Sequence, residues 1–194
     1  MPSSSYGPTM RRRQSGWPRR RPPRSRERRC GSSPAGRKLN VETPARVIAQ
    51  EVRRATDRYQ DVSAATAAGY SLFLGCVGSP TGGAMGIHYV NGELVGDGKI
   101  DAARPEALIY EPKGGKLELV GVEYIVIAAA WDAANKTPPT LMGQLFHLNS
   151  APNRYGVPAF YALHVWAWRH NPQGTFMDYN PRVSCDGYAT EAAR

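Results

Sequence analysis

No apolar run in this sequence approaches the roughly 18–20 residues that a membrane-crossing helix needs. The longest candidate, "YIVIAAAW", stops far short of that. Acid is nearly missing from residues 1–38, where 11 Arg and Lys38 face Glu27 alone. The rest of the chain carries 13 basic and 15 acidic side chains, so the formal net charge of +9 belongs to the N-terminal segment. The body therefore lacks the basic surface that nucleic-acid binding requires. The compact signatures of common chemistries are missing too. There is no GxSxG and no dinucleotide fingerprint, and "GSPTGG" lacks the lysine of a Walker motif. A secretory signal is not expected as written: "MRRRQSGW" has the arginines of an n-region, but "PRRRPPRSRERR" stands where an apolar h-region should follow.

What is present divides at about residue 40. Residues 1–40 are rich in Arg, Pro, Ser and Gly and cannot bury enough apolar surface to offset the entropy of ordering, so a disordered tail is expected there. An arginine-rich arm can touch nucleic acid or anionic lipid. Yet Trp17 is the only large stacking side chain among the arginines, and a solvated tail or an upstream extension from a wrongly chosen start codon explains the composition as well. Residues 41–188 are expected to form a single domain.

Thr43 and Pro44 open a helix in which Ile48, Val52, Ala55 and Tyr59 make one apolar stripe. "DVSAATAAG" predicts a second helix, capped by Asp61 and ended by Gly69. Strands are predicted over 70–77, 86–91, 106–112, 116–128 and 159–170, with "KGG" as a hairpin turn. "GELVGDGKIDAARP" reads as a turn-rich connection. Leu141, Gln144, Leu145 and Leu148 have helical spacing and predict one or two helical turns. The sum is an α+β domain, N-terminal helices packed on a curved, mainly antiparallel half-barrel sheet.

Period-two alternation places polar groups in unexpected company. Leu117, Leu119, Gly121, Glu123, Ile125 and Ile127 share one face, so Glu123 is an acid in an aliphatic row. A buried carboxylate needs a partner, a metal or a proton. On the last strand His164 shares a face with Trp166 and Trp168. His88 lies in "GIHYVN" on the same face as Val90. Three strands can thus aim His88, Glu123 and His164 at one cavity. Two histidines and one carboxylate suit Zn, Mn, Fe or Cu, with His147 as a possible fourth ligand. Trp166, Trp168 and Tyr89 are candidate pocket walls. Such a centre fits metal-assisted hydrolysis, or a lyase or oxygenase reaction, on a small molecule. The alternative is a non-catalytic ligand-binding or structural module, whose His/Glu cluster is a hydrogen-bonded part of the core. "PTGGAMGIHYVN" is superficially similar to the cupin pattern, but the glycine-to-histidine spacing differs and no His-x-His pair occurs. A cupin-like β-barrel stays as the alternative fold.

The strings "DVSAATAAGY", "GAMGIHYVN", "RPEALIYEP", "LVGVEYIV", "LHVWAWRHNPQGTF" and "NPRVSC" together resemble a family of small, uncharacterised bacterial proteins, many of which begin with an export signal. The resemblance covers about residues 45–186. It implies a shared fold and an exported location but no activity, and the arginine-rich segment here departs from it. Three cysteines are present, and an odd count usually leaves one thiol free. Cys30 sits in the predicted tail. Cys76 and Cys185 lie at loop–strand edges, and the oxidising compartment implied by the resemblance predicts that they pair. Two free buried thiols in a cytoplasmic protein are the alternative, and a nucleophilic Cys76 is disfavoured by its apolar flanks.

Overall fold

The structure is a computed structural model that describes residues 43–188. The predicted disordered tail, with Trp17 and Cys30, lies outside the described residues. The first helix, α1 (Pro44–Thr56), starts as expected: Thr43 is extended and Pro44 occupies the first turn, where its missing N–H costs nothing. Ile48, Ala49 and Val52 are its buried stripe. A 3-10 turn (Asp57–Gln60) leads to α2 (Val62–Ala67), whose N-cap Asp61 accepts from the Ser63 N–H at 2.9 Å. Gly69, at φ +90°, ends it.

The strands are β1 (Ser71–Gly78), β2 (Ala84–Val90), β3 (Ala107–Lys113), β4 (Lys116–Ile127), β5 (Thr140–Leu141), β6 (Gln144–Leu145), β7 (His147–Asn149) and β8 (Phe160–Val165). Six of them form one antiparallel sheet in the order β1-β2-β3-β4-β8-β7, curved into a half-barrel. Its edges β1 and β7 do not pair, so the sheet is open rather than the closed cupin-like barrel. The β3–β4 turn uses Gly114 and Gly115 at φ +57° and +75°, where only glycine sits without strain.

The helices cover one sheet face. Ile48 and Val52 pack with Leu108, Tyr110, Val122 and Tyr124 in the main core. Buried tyrosines there find backbone acceptors: Tyr110 donates to the Tyr59 carbonyl and Tyr124 to that of Ala102, each at 2.7 Å. The C-terminal segment crosses half of the opposite face. Its Trp166 and Val183 pack on Ala84, Ile109 and Val120. A Cys76–Cys185 disulfide, with Cα atoms 5.6 Å apart, ties that segment to β1.

Several elements differ from expectation. Two short helices, α3 (Gly92–Gly96) and α4 (Ala128–Ala134), stand where sequence predicts a turn-rich connection and no element. The Asn91 side chain caps α3, accepting from Glu93 and Leu94, and the alanine run "AAAWDAA" favours helix once β4 ends. The predicted helical turns at 141–148 are instead the β5–β6 hairpin and β7. Met142 and Gly143 both adopt positive φ, the geometry of a two-residue hairpin turn. In β4 a bulge disrupts the predicted face. Ile109 pairs with Gly121 and Tyr110 with Leu119, leaving Val120 extra. Leu117 and Leu119 therefore join the helix-side core, away from Glu123. The last strand stops at Val165. The Ala167 N–H turns back to the Val165 carbonyl at 2.9 Å, and Trp168 and Arg169 both donate to the bulged Val120 carbonyl.

Candidate metal centre

His88, Glu123 and His164 come from β2, β4 and β8 and meet on the sheet face that the helices leave uncovered. Register explains the meeting. Glu123 lies directly opposite His164 on one side and Ala107 on the other. His88 pairs with Ile109, two residues along β3 from Ala107. Ala107 is too small to separate the β2 and β4 side chains, so the His88 ring reaches across β3. Its Nε2 is 3.4 Å from Glu123 Oε2, and His164 Nδ1 is 3.4 Å from Glu123 Oε1. One ligand-capable atom from each residue falls within 4.8 Å of the others. His88 and Glu123 are each 7% exposed and His164 1%. Neither ring nitrogen of His164 has a hydrogen-bond partner.

Environment separates the two imidazoles. Burial pushes His88 down to about 3, with His164 nearby adding to the effect and a hydrogen bond to the Gly86 backbone opposing it. His88 is neutral at pH 7. A backbone contact such as that with Gly86 is the kind of outer partner that orients metal-bound histidines. Burial also works against a charged His164, but Glu123 and Asp178 overcome it and raise its pKa. Burial raises Glu123, with the His164 charge acting in the other direction. Gly86 itself is irreplaceable in its place: at φ +97° an added Cβ would meet the Tyr110 carbonyl oxygen at 2.6 Å.

Asp178 is the residue that sequence reasoning missed. Its Oδ1 lies 3.5 Å from His164 Nδ1 and 3.4 Å from His147 Nε2. It sits in an irregular loop, and nothing in the local sequence marks it. His147 is thus not a member of the group. It is half exposed and stands one carboxylate farther out.

The expected pocket walls are redistributed. Trp166 stacks on His164, ring centroids 6.3 Å apart, and lies behind the site. Trp168 is carried through the turn after Val165 to the helix side, where its Nε1 donates to Thr56 Oγ1 at 3.2 Å. Tyr89 packs edge-on against Tyr110 in the main core. The cavity that does adjoin the site has a volume of about 300 Å³ and reaches His88 and Glu123 past Val90, Ile125, Tyr155 and Phe160. Alternation of β4 explains its wall: Glu123, Ile125 and Ile127 all face it.

No helix among the described residues is long and apolar enough to cross a membrane. Comparison with protein-family models, with curated proteins and with solved structures finds no match.

Proposed function

We propose that His88, Glu123 and His164 bind a divalent transition metal and present it to a small molecule in the adjoining cavity. One observation carries the reading: the two 3.4 Å separations from Glu123 to the histidines. A charge-assisted N–H···O bond is about 2.7–2.9 Å long, so these groups stand too far apart for good hydrogen bonds. Glu123 offers one oxygen to each imidazole, and one ligand atom from each residue lies within 4.8 Å of the others, near enough for a single ion with bonds of about 2.0–2.2 Å to draw the three together. The donor set, two imidazoles and a carboxylate, suits Zn, Mn, Fe or Cu. Three protein ligands leave a position facing the cavity, where an ion would polarise a bound oxygen or lower the pKa of a bound water. Metal-assisted hydrolysis is the reaction class this favours, with lyase and oxygenase chemistry open to the same donors. His88 needs no deprotonation at pH 7 to act as a ligand. The disulfide supports an oxidising, exported setting, in line with the resemblance to a bacterial family many of whose members begin with an export signal.

A second reading has its own observation. His164 lies between Glu123 and Asp178, so a protonated imidazole there is compensated without an ion. The group is then a structural, non-catalytic part of the core. Elemental analysis of protein purified without an affinity tag separates the two. About one equivalent of transition metal, lost on chelation and regained on adding Zn(II), is expected for the metal centre. Protein that takes up no metal at micromolar Zn(II) and folds unchanged is the structural module.

A further inference from the structure

We infer that the cavity beside this group is a binding site for a small apolar molecule with one uncharged oxygen head, an alcohol or ketone, set against His88 and Glu123. The inference deepens the proposed function by naming a ligand class. It rests on that reading only where the head meets the metal position.

The walls come first. Leu74, Val90, Ile125, Ile127 and Phe160 surround the space, and Leu72 and Phe73 stand at its rim. The register of β1 shifts between Leu72 and Leu74, leaving Phe73 without a partner on β2. Such a bulge lets neighbouring side chains escape strict alternation, so all three consecutive residues line one cavity. Leu72 and Phe73 remain 51% and 46% exposed, an apolar lip on the edge strand β1. Exposed apolar surface contiguous with a cavity is the usual mark of a binding groove.

The polar end is narrow. His88 and Glu123 line the cavity and are both more than nine-tenths buried. Tyr155 also lines the cavity. Its one hydrogen bond is a weak one to Met85 Sδ at 3.7 Å, and burial pushes its pKa up to about 12, so it remains a donor at neutral pH. A ligand oxygen at the polar end would face His88 and Glu123.

Charge then excludes ligand classes. Among the described residues lining the cavity there is no Lys or Arg. A phosphate or a polycarboxylate buried here would lack a cationic partner and would face Glu123, at a heavy desolvation cost. An ammonium would find Glu123 already flanked by two histidines. A neutral head avoids both penalties. Size sets the length: at about 30 Å³ per water-sized group, about 300 Å³ accommodates on the order of ten non-hydrogen atoms.

The test uses chelator-treated full-length protein and straight-chain 1-alcohols from butanol to tetradecanol, with binding read by titration calorimetry. Each added methylene should tighten binding about fourfold, the value for full burial. The gain should stop near eight to ten carbons, where the cavity is full. Octyl phosphate and octylamine should bind at least tenfold more weakly than octanol. Ile125→Trp fills the cavity and should weaken octanol at least tenfold; Leu74→Trp on the edge strand gives the same readout should Ile125→Trp not fold. No saturable binding, a chain-length gain that continues past twelve carbons, or indifference to both filling substitutions overturns the inference. Zn(II) uptake is measured on the same proteins. Octanol binding without Zn(II) uptake overturns the metal centre alone, and Zn(II) uptake without octanol binding overturns the cavity ligand alone.

Discussion

Glu111 and Glu123 are carboxylates on neighbouring strands, buried to nearly the same depth on the same face of the sheet. Their company differs. Glu111 is ion-paired with Arg169 at 2.7 Å and accepts from the Ser184 N–H at 3.0 Å, and Arg169 also holds Glu118. Glu123 has only two histidines at 3.4 Å. The boundary between them is the C-terminal segment. From this segment Glu111 and Glu118 receive a cation or an N–H. Toward the cavity the same segment brings Asp178 and Trp166 against His164 and gives Glu123 neither. Burial alone therefore does not separate the two carboxylates; a cation beside one and two imidazoles beside the other do.

Removing the tie that closes the paired half should have the largest effect on stability. The disulfide joins residues 109 positions apart, and a Cys76→Ser/Cys185→Ser variant should lose up to about 4.8 kcal/mol in denaturant unfolding, as chain entropy predicts for a loop of that length. The Trp166 packing should loosen with it. Arg169→Ala comes next. It leaves Glu111 buried without its cation and should cost about 3 kcal/mol, near the low end for a broken buried pair because Arg169 is partly exposed. Metal uptake should stay as in the wild type, since Arg169 touches neither histidine. If Arg169→Ala abolishes uptake without unfolding, the two halves are not separable in the way described.

A smaller effect concerns a third buried acid. Burial pushes Glu106 up to about 8, against a hydrogen bond from the Ile125 N–H at 2.9 Å. The folded state then holds a proton that the unfolded chain releases near pH 4.5, so stability falls as pH rises from about 4.5 to 8. The slope is at most about 1.4 kcal/mol per pH unit. Glu106→Gln should flatten this alkaline limb in thermal melts at pH 6, 7 and 8. His88 tilts the curve the other way: its folded pKa is depressed to about 3, so its contribution is lost as pH falls below 6.5. A variant as pH-sensitive as the wild type above pH 6 would remove Glu106 from this picture.

Much of this was legible in sequence. Pro44 and Asp61 mark helix starts, "KGG" marks the hairpin, and an acid among aliphatic residues marks Glu123. His88 and His164 follow from strand parity, which holds locally in β2 and β8. Parity fails where the backbone departs from the pleat. The Val120 bulge moves Leu117 and Leu119 to the other face, and the turn at Val165 sends Trp168 to the helices. Neither leaves a mark in residue type, since both are fixed by tertiary pairing with the C-terminal segment. The hairpin at Met142–Gly143 was hidden by leucines whose spacing also fits a helix, and its Leu145 proves exposed. Asp178 reaches His164 from a loop, where no periodicity exists to read.

The most direct measurement is Zn(II) affinity and thermal midpoint for Glu123→Gln and Glu111→Gln in parallel. Loss of a direct ligand should weaken Zn(II) binding by more than the roughly 10–100-fold of an outer-sphere change, while metal-free Glu123→Gln stays folded. Glu111→Gln should bind Zn(II) as the wild type does and melt at a lower temperature. Equal Zn(II) affinity in Glu123→Gln and wild type, or no Zn(II) binding in either, would contradict a metal centre at His88, Glu123 and His164.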